Sequence, residues 1–181
     1  MPKPKVGVSA CLLGERVRYD GDHRRERIVA EELGARFEWI VVCPEVEVGF
    51  GVPRETLRLE GDPDAPSLLT TATRHDRTER MRAWCRERVA ALPADLAGFI
   101  FKARSPSCGP SGVKLFGSDG SESSALTRGL FAHAVFTRFP ELPMIDEEGL
   151  RDPARAAGFL RAVAHRQAGG AAGSEAGAGH A

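Results

Sequence analysis

The sequence predicts an α/β fold: one domain of Rossmann-like or flavodoxin-like layering, with a mostly parallel sheet and helices on both faces. Three observations carry this. Short apolar runs alternate with amphipathic stretches along most of the chain, the pattern of strands alternating with helices. The run at residues 37–42 is apolar at every position except Glu38, as in a strand buried on both faces of a parallel sheet. At 181 residues, 42% hydrophobic and 28% charged, the chain has the length and composition of one domain with a self-sufficient core.

The elements follow in order. Residues 5–10 form an apolar strand running into Cys11-Leu-Leu-Gly14, and Asp20-Gly21 marks a turn. Ile28, Val29 and Leu33 share one helical face, which predicts a helix over 25–35 stopped by Gly34. The strand at 37–42 ends at Cys43-Pro44, since proline cannot donate to a central ladder. Residues 56–59 alternate like an edge strand, and 62–73 read as a Pro- and Thr-rich surface loop. Met81, Trp84, Cys85 and Val89 form the stripe of a helix over 76–92. A strand at 98–102 leads into Ser105-Pro-Ser-Cys-Gly-Pro110, and a short strand at 113–116 into a flexible loop over 117–124. A helix over 126–139 is closed by Pro140, and a strand follows at 142–145. Asp152 caps a last helix reaching 167, with Pro153 in its first turn. The domain is thus expected to occupy residues 1–167. The Gly- and Ala-rich stretch 168–181, which has no side chain able to anchor a core, is expected to be a disordered tail.

Lys plus Arg and Asp plus Glu each number 25, so the formal charge is zero and no basic excess drives nucleic-acid binding. No run approaches the ~20 apolar residues of a membrane span, and no signal-peptide core follows the N-terminus. A cytoplasmic protein is expected, with its four cysteines reduced.

Three of those cysteines share a context. Cys11, Cys43 and Cys108 each follow an apolar strand-like run, and open α/β sheets bind ligands beyond the carboxyl ends of their strands. Cys85 lies on the apolar helical stripe and reads as core packing. Three thiols without Cys-x2–4-Cys pairs do not match a closed structural zinc site, nor the closely spaced cysteines of iron–sulfur electron carriers. A 4Fe–4S cluster held by three cysteines would leave one iron open as a Lewis acid. Glu45, two residues after Cys43, reads either as a base for a water above such a site or as a solvated loop carboxylate. Lys102, Arg54 and Arg18 read as cations for an anionic ring or a cluster, or as ordinary ion-pair partners. Tyr19, the only tyrosine, either stacks on a ring or packs. A non-catalytic carrier of a cluster, metal or sulfur, and an enzyme with a cysteine nucleophile, stand as alternatives. The last lacks any histidine next to the three cysteines.

Five motifs in order then resemble one family. They are Val6-Gly-Val-Ser-Ala-Cys-Leu-Leu-Gly14, Val17-Arg-Tyr-Asp-Gly21, Cys43-Pro-Glu-Val-Glu-Val-Gly49, Val52-Pro-Arg54, and Lys102 with Ser105-Pro-Ser-Cys-Gly109. Together with Asp76-Arg-Thr78 and Leu142-Pro-Met-Ile-Asp146 they resemble the TudS-type thiouracil desulfurases, over about residues 4–165. The resemblance implies that Cys11, Cys43 and Cys108 bind a 4Fe–4S cluster with one open iron. It implies non-redox desulfuration of a 2-thiouracil-like base, the substrate's sulfur binding that iron, with release of sulfide. Glu45 matches the family's acidic residue beside the second ligand, and Ser105 or Ser107 its catalytic serine, with Ser105 favoured for catalysis and Ser107 placed at the substrate; on their own chemistry Lys102, Tyr19 and Arg54 are expected to face the substrate. The expected partner is a small thiolated pyrimidine or thioamide, not a membrane or nucleic acid, and the expected state is a monomer.

Overall fold

The computed structural model describes residues 2–175, with side chains to residue 169. Eight strands form: β1 (Lys5–Ser9), β2 (Glu38–Val42), β3 (Leu57–Glu60), β4 (Ser67–Thr70), β5 (Leu96–Phe101), β6 (Val113–Phe116), β7 (Glu122–Thr127) and β8 (Met144–Asp146). Five α-helices accompany them: α1 (Pro44–Glu47), α2 (Thr78–Ala90), α3 (Leu130–Arg138), α4 (Glu147–Leu150) and α5 (Pro153–Glu175).

The expected α/β architecture is present, with a parallel sheet in the order β2-β1-β5-β8. A second four-stranded sheet, β4-β3-β6-β7, was not foreseen. In it β3 pairs antiparallel with β4 and parallel with β6, so the strand expected at an edge is interior. The supposed surface loop at 62–73 contains β4, because Leu68 is fully buried and draws the segment back along β3. The expected loop at 117–124 is a turn only to residue 121; its end and the start of the next helix are instead β7, which pairs with β6 and alternates exposed and half-buried side chains. The α3 helix therefore begins only after Gly129.

The helix expected over 25–35 shrinks to one π-type turn, Ile28–Glu32. Its upstream backbone is tied elsewhere: the Arg24 and Glu26 amides donate to the Cys11 and Leu12 carbonyls. Strand β2 is an edge strand and half exposed, not buried on both faces; the fully buried strand is β5. The Asp152 side chain accepts from the Ala154 and Arg155 amides as an N-cap should. That last helix runs past the expected end at 167 to Glu175, and the rest of the tail, 176–181, lies outside the described residues.

Two hydrophobic layers sandwich the parallel sheet. On one side Phe99, Phe101 and Phe131 meet Leu59, Leu115 and Met81 from the second sheet and α2; the Phe99 and Phe101 rings stack at 4.0 Å. On the other, Val6, Val8, Ile100 and Ile145 pack against Phe159 and Val163 of α5. Among the described residues no helix is long and apolar enough to cross a membrane.

Candidate functional site

The strand order brings the three loop cysteines together. β2, β1 and β5 lie side by side and point the same way, so the segments beyond their carboxyl ends are neighbours. Cys11 sits in the 3-10 turn after β1, Cys43 directly follows β2, and Cys108 lies in the loop after β5. All three line one cavity of about 300 Å³. Cys85 does not; it is buried on α2 among core side chains.

Each loop has its own local logic. After Cys11 the turn closes at Gly14, whose φ of 99° lies in the left-handed region that glycine enters without strain. Cys43 caps α1 with Pro44 at the first helical position, and its amide donates to Glu47 Oε1 at 3.1 Å. The Cys108 loop is bound into the N-terminus of α3. The Leu130 amide donates to the Pro106 carbonyl, and those of Phe131 and Ala132 to that of Ser107. The loop thus satisfies helix donors that would otherwise lack partners.

That approach depends on Gly129. A Cβ there would stand 2.6 Å from the Ser107 carbonyl carbon and oxygen. Gly129→Ala is expected to destabilise the protein by about 1–3 kcal/mol, measurable in urea, and to weaken whatever Cys108 holds.

Burial raises all three thiols. Cys11 is pushed up to about 11, with Lys102 pulling the other way and Cys43 and Glu147 adding to the rise. Cys43 is raised by burial against the helix-start amides of Val46 and Glu45. Cys108 is raised well above the usual thiol range by burial, opposed by the neighbouring Ser9 hydroxyl. The negative charge of each thiolate would be felt by the others, so the cavity favours protonated thiols or a group whose positive charge replaces the protons. Among the described residues no three His, Cys, Asp or Glu side chains converge as ligands of a single metal ion. Zn–S bonds of about 2.3 Å require closer sulfurs than a cluster does, where each thiolate binds a different iron. The donor set, three soft thiols around one cavity, therefore fits an iron–sulfur cluster better than one ion.

Glu45 leans into the same cavity and is tightly held. Its Oε2 accepts from Arg54 Nε and Nη2, both at 2.7 Å, and its Oε1 accepts from the Ser107 hydroxyl at 2.9 Å. The Arg54 amide in turn donates to the Tyr19 carbonyl, and its Nη1 to the Gly51 carbonyl.

The two serines differ. Ser105 lines the cavity, and its Oγ accepts from the Ser107 and Cys108 amides at 3.2 and 3.0 Å. With both acceptor positions filled, its hydroxyl proton is what it can offer. Ser107 is 1% exposed and does not line the cavity; its proton is committed to Glu45.

Lys102 and Tyr19 also reach the cavity wall. Lys102 is tied to the buried Glu147 and to the Ala103 carbonyl. Tyr19 is 40% exposed, with the Arg18 guanidinium 5.1 Å from its ring centroid. Sequence reasoning missed Ser9 and Glu147. Ser9 accepts from the Lys102 amide at 3.0 Å and lines the cavity beside the cysteines. Its adjacency to Cys11 was the available signal. Glu147 accepts from the Ala103 amide at 2.7 Å, and its only signal was its place just beyond β8, the fourth strand of the same sheet.

The family model described as 2-thiouracil desulfurase matches residues 6–147, which contain the three cavity cysteines and Glu45. An uncharacterized Bacillus subtilis protein, YbbK, is 30% identical over an alignment covering 61% of this chain and 82% of that one. The solved structure of a 4Fe–4S-dependent thiouracil desulfidase, TudS, matches with a TM-score of 0.64 at 26% identity, covering 87% of this chain and 99% of that one.

Proposed function

The chain belongs to the 2-thiouracil desulfurase family, and from that membership we propose that it hydrolyses the C–S bond of a thiolated pyrimidine on a 4Fe–4S cluster held by Cys11, Cys43 and Cys108. The observation that carries this reading is the joint lining of one cavity by three thiols, two buried and that of Cys43 half-buried, and a clamped carboxylate. When bound, the cluster supplies an open iron, a soft Lewis acid matched to a thiocarbonyl sulfur.

The rest of the chemistry falls to the chain. The net change is thiocarbonyl plus water to carbonyl plus hydrogen sulfide, with no electron gained or lost. A water must lose a proton as it attacks the ring carbon. Oε2 of Glu45 is filled by two guanidinium N–H groups, whereas Oε1 accepts only from Ser107 and keeps a vacant lone pair. Oε1 is therefore the atom that takes the proton. Ser105 offers its hydroxyl proton to the substrate. Ser107 and Arg54 orient Glu45 instead of touching substrate. Tyr19 and Arg18 give the ring a flat, cationic wall.

The carrier alternative is less well supported, because a module that only stores a cluster has no use for a carboxylate clamped beside it. The deciding experiment is anaerobic reconstitution followed by incubation with 2-thiouracil, reading uracil and sulfide. Stoichiometric formation of both is expected; a loaded cluster without turnover on any thiopyrimidine would overturn the substrate assignment. Ser107→Ala is expected to keep the cluster and lower kcat by about 10- to 100-fold, the worth of a hydrogen bond to a charged group, with KM little changed.

A further inference from the structure

The chain has a second concavity, and it is cationic. A groove of about 750 Å³ opens between α2, α3 and the loops at 63–66 and 110–112. It shares no lining residue with the cysteine cavity. The Cys108 loop separates the two, with Cys108 facing one and Pro110 to Gly112 the other.

Three arginines line the groove, Arg82, Arg86 and Arg128, together with His133; Asp64 is the one carboxylate on its wall. The groove is thus locally basic on a chain whose formal charge is zero. The fold also aims these groups. Arg82 is braced by the Pro66 carbonyl at 3.1 Å and by Glu79. Arg128 donates to the Pro110 carbonyl at 2.7 Å and lies 4.1 Å from the Phe136 ring centroid. Each retains N–H groups beyond those used. Arg86, one turn beyond Arg82 on α2, has no ion-pair partner among the described residues. Beside the charges stand Leu126, 59% exposed, with Leu130 and Ala134.

We propose that this groove binds a phosphorylated organic molecule of nucleotide size. Forked guanidinium groups match phosphate oxygens geometrically and electrostatically. The volume lies within the usual range for small-molecule sites. The apolar wall gives an organic moiety a surface that inorganic phosphate would leave uncovered, and an exposed leucine on it gains by being covered.

Calorimetric titration of the full chain with AMP, adenosine and inorganic phosphate at low salt tests this. AMP is expected to bind at least ~10-fold more tightly than either fragment and to weaken as salt is raised. Arg86→Glu is expected to weaken AMP binding by roughly 10- to 100-fold without changing the melting temperature, since Arg86 is exposed. Arg24→Glu, at the cysteine cavity, is expected to leave it unchanged. Absence of AMP binding, its persistence in Arg86→Glu, or its loss in Arg24→Glu would each overturn the proposal. So would equal affinity for inorganic phosphate, or capture of a poly-glutamate peptide in preference to AMP, which would point to an acidic protein partner.

Discussion

Cys11→Ser, Cys43→Ser and Cys108→Ser are each expected to abolish stable iron binding, while Cys85→Ala keeps it. The three loop cysteines face one cavity, and each is the sole thiol that its strand end contributes. Serine is nearly isosteric but replaces a soft sulfur with a hard oxygen, so a loop keeps its shape while losing its ligand. Two remaining thiolates cannot hold a cuboidal cluster with three protein-bound irons. Cys85 is 3% exposed on the core face of α2, and burial pushes its thiol up to about 12, which marks it as an inert packing group. Its loss to alanine costs about 1 kcal/mol, tolerable against a typical total of 5–15. Iron per protein after anaerobic reconstitution is the measurement, alongside far-UV circular dichroism. The serine variants should keep their helicity, because the two hydrophobic layers do not depend on the cavity. Iron retained in Cys11→Ser, or lost in Cys85→Ala, would overturn the ligand assignment.

The sequence made this trio legible through one regularity, a cysteine directly after an apolar run, repeated three times. What turned regularity into convergence was strand order. β1, β2 and β5 are neighbours, although β3, β4 and α2 separate β2 from β5 along the chain. Two strands of that sheet, β4 and β7, were illegible for a physical reason. Its strands are four to six residues long and expose polar side chains on one face, so β4 and β7 look like Thr- and Ser-rich loops until pairing supplies their partners. The cations stayed open between ligand and ion-pair roles for a related reason. A sequence shows that Arg54 and Lys102 are charged but not that Glu45 and Glu147 occupy them. Ser9 and Glu147 are legible only once the sheet has placed them beside Cys108 and Lys102.

Glu45→Gln is expected to retain the cluster and lower turnover by roughly 10²–10⁴-fold, the usual contribution of a positioned general base. The substitution is close to isosteric, and the clamp dictates how the amide settles. Arg54 presents two N–H donors to the position of Oε2 and so holds the amide oxygen there. The amide nitrogen then occupies the position of Oε1, where it can donate to Ser107 Oγ, which turns its own proton away. The hydrogen bonds survive, and with them the loop that carries Cys43. What disappears is the vacant acceptor lone pair beside the reacting carbon, since an amide nitrogen has none to give. Iron content and cluster absorbance should therefore match the unmodified protein while uracil and sulfide formation collapse together. Loss of iron in Glu45→Gln would make the carboxylate a structural brace of the Cys43 loop. Unchanged turnover would move the base elsewhere in the cavity.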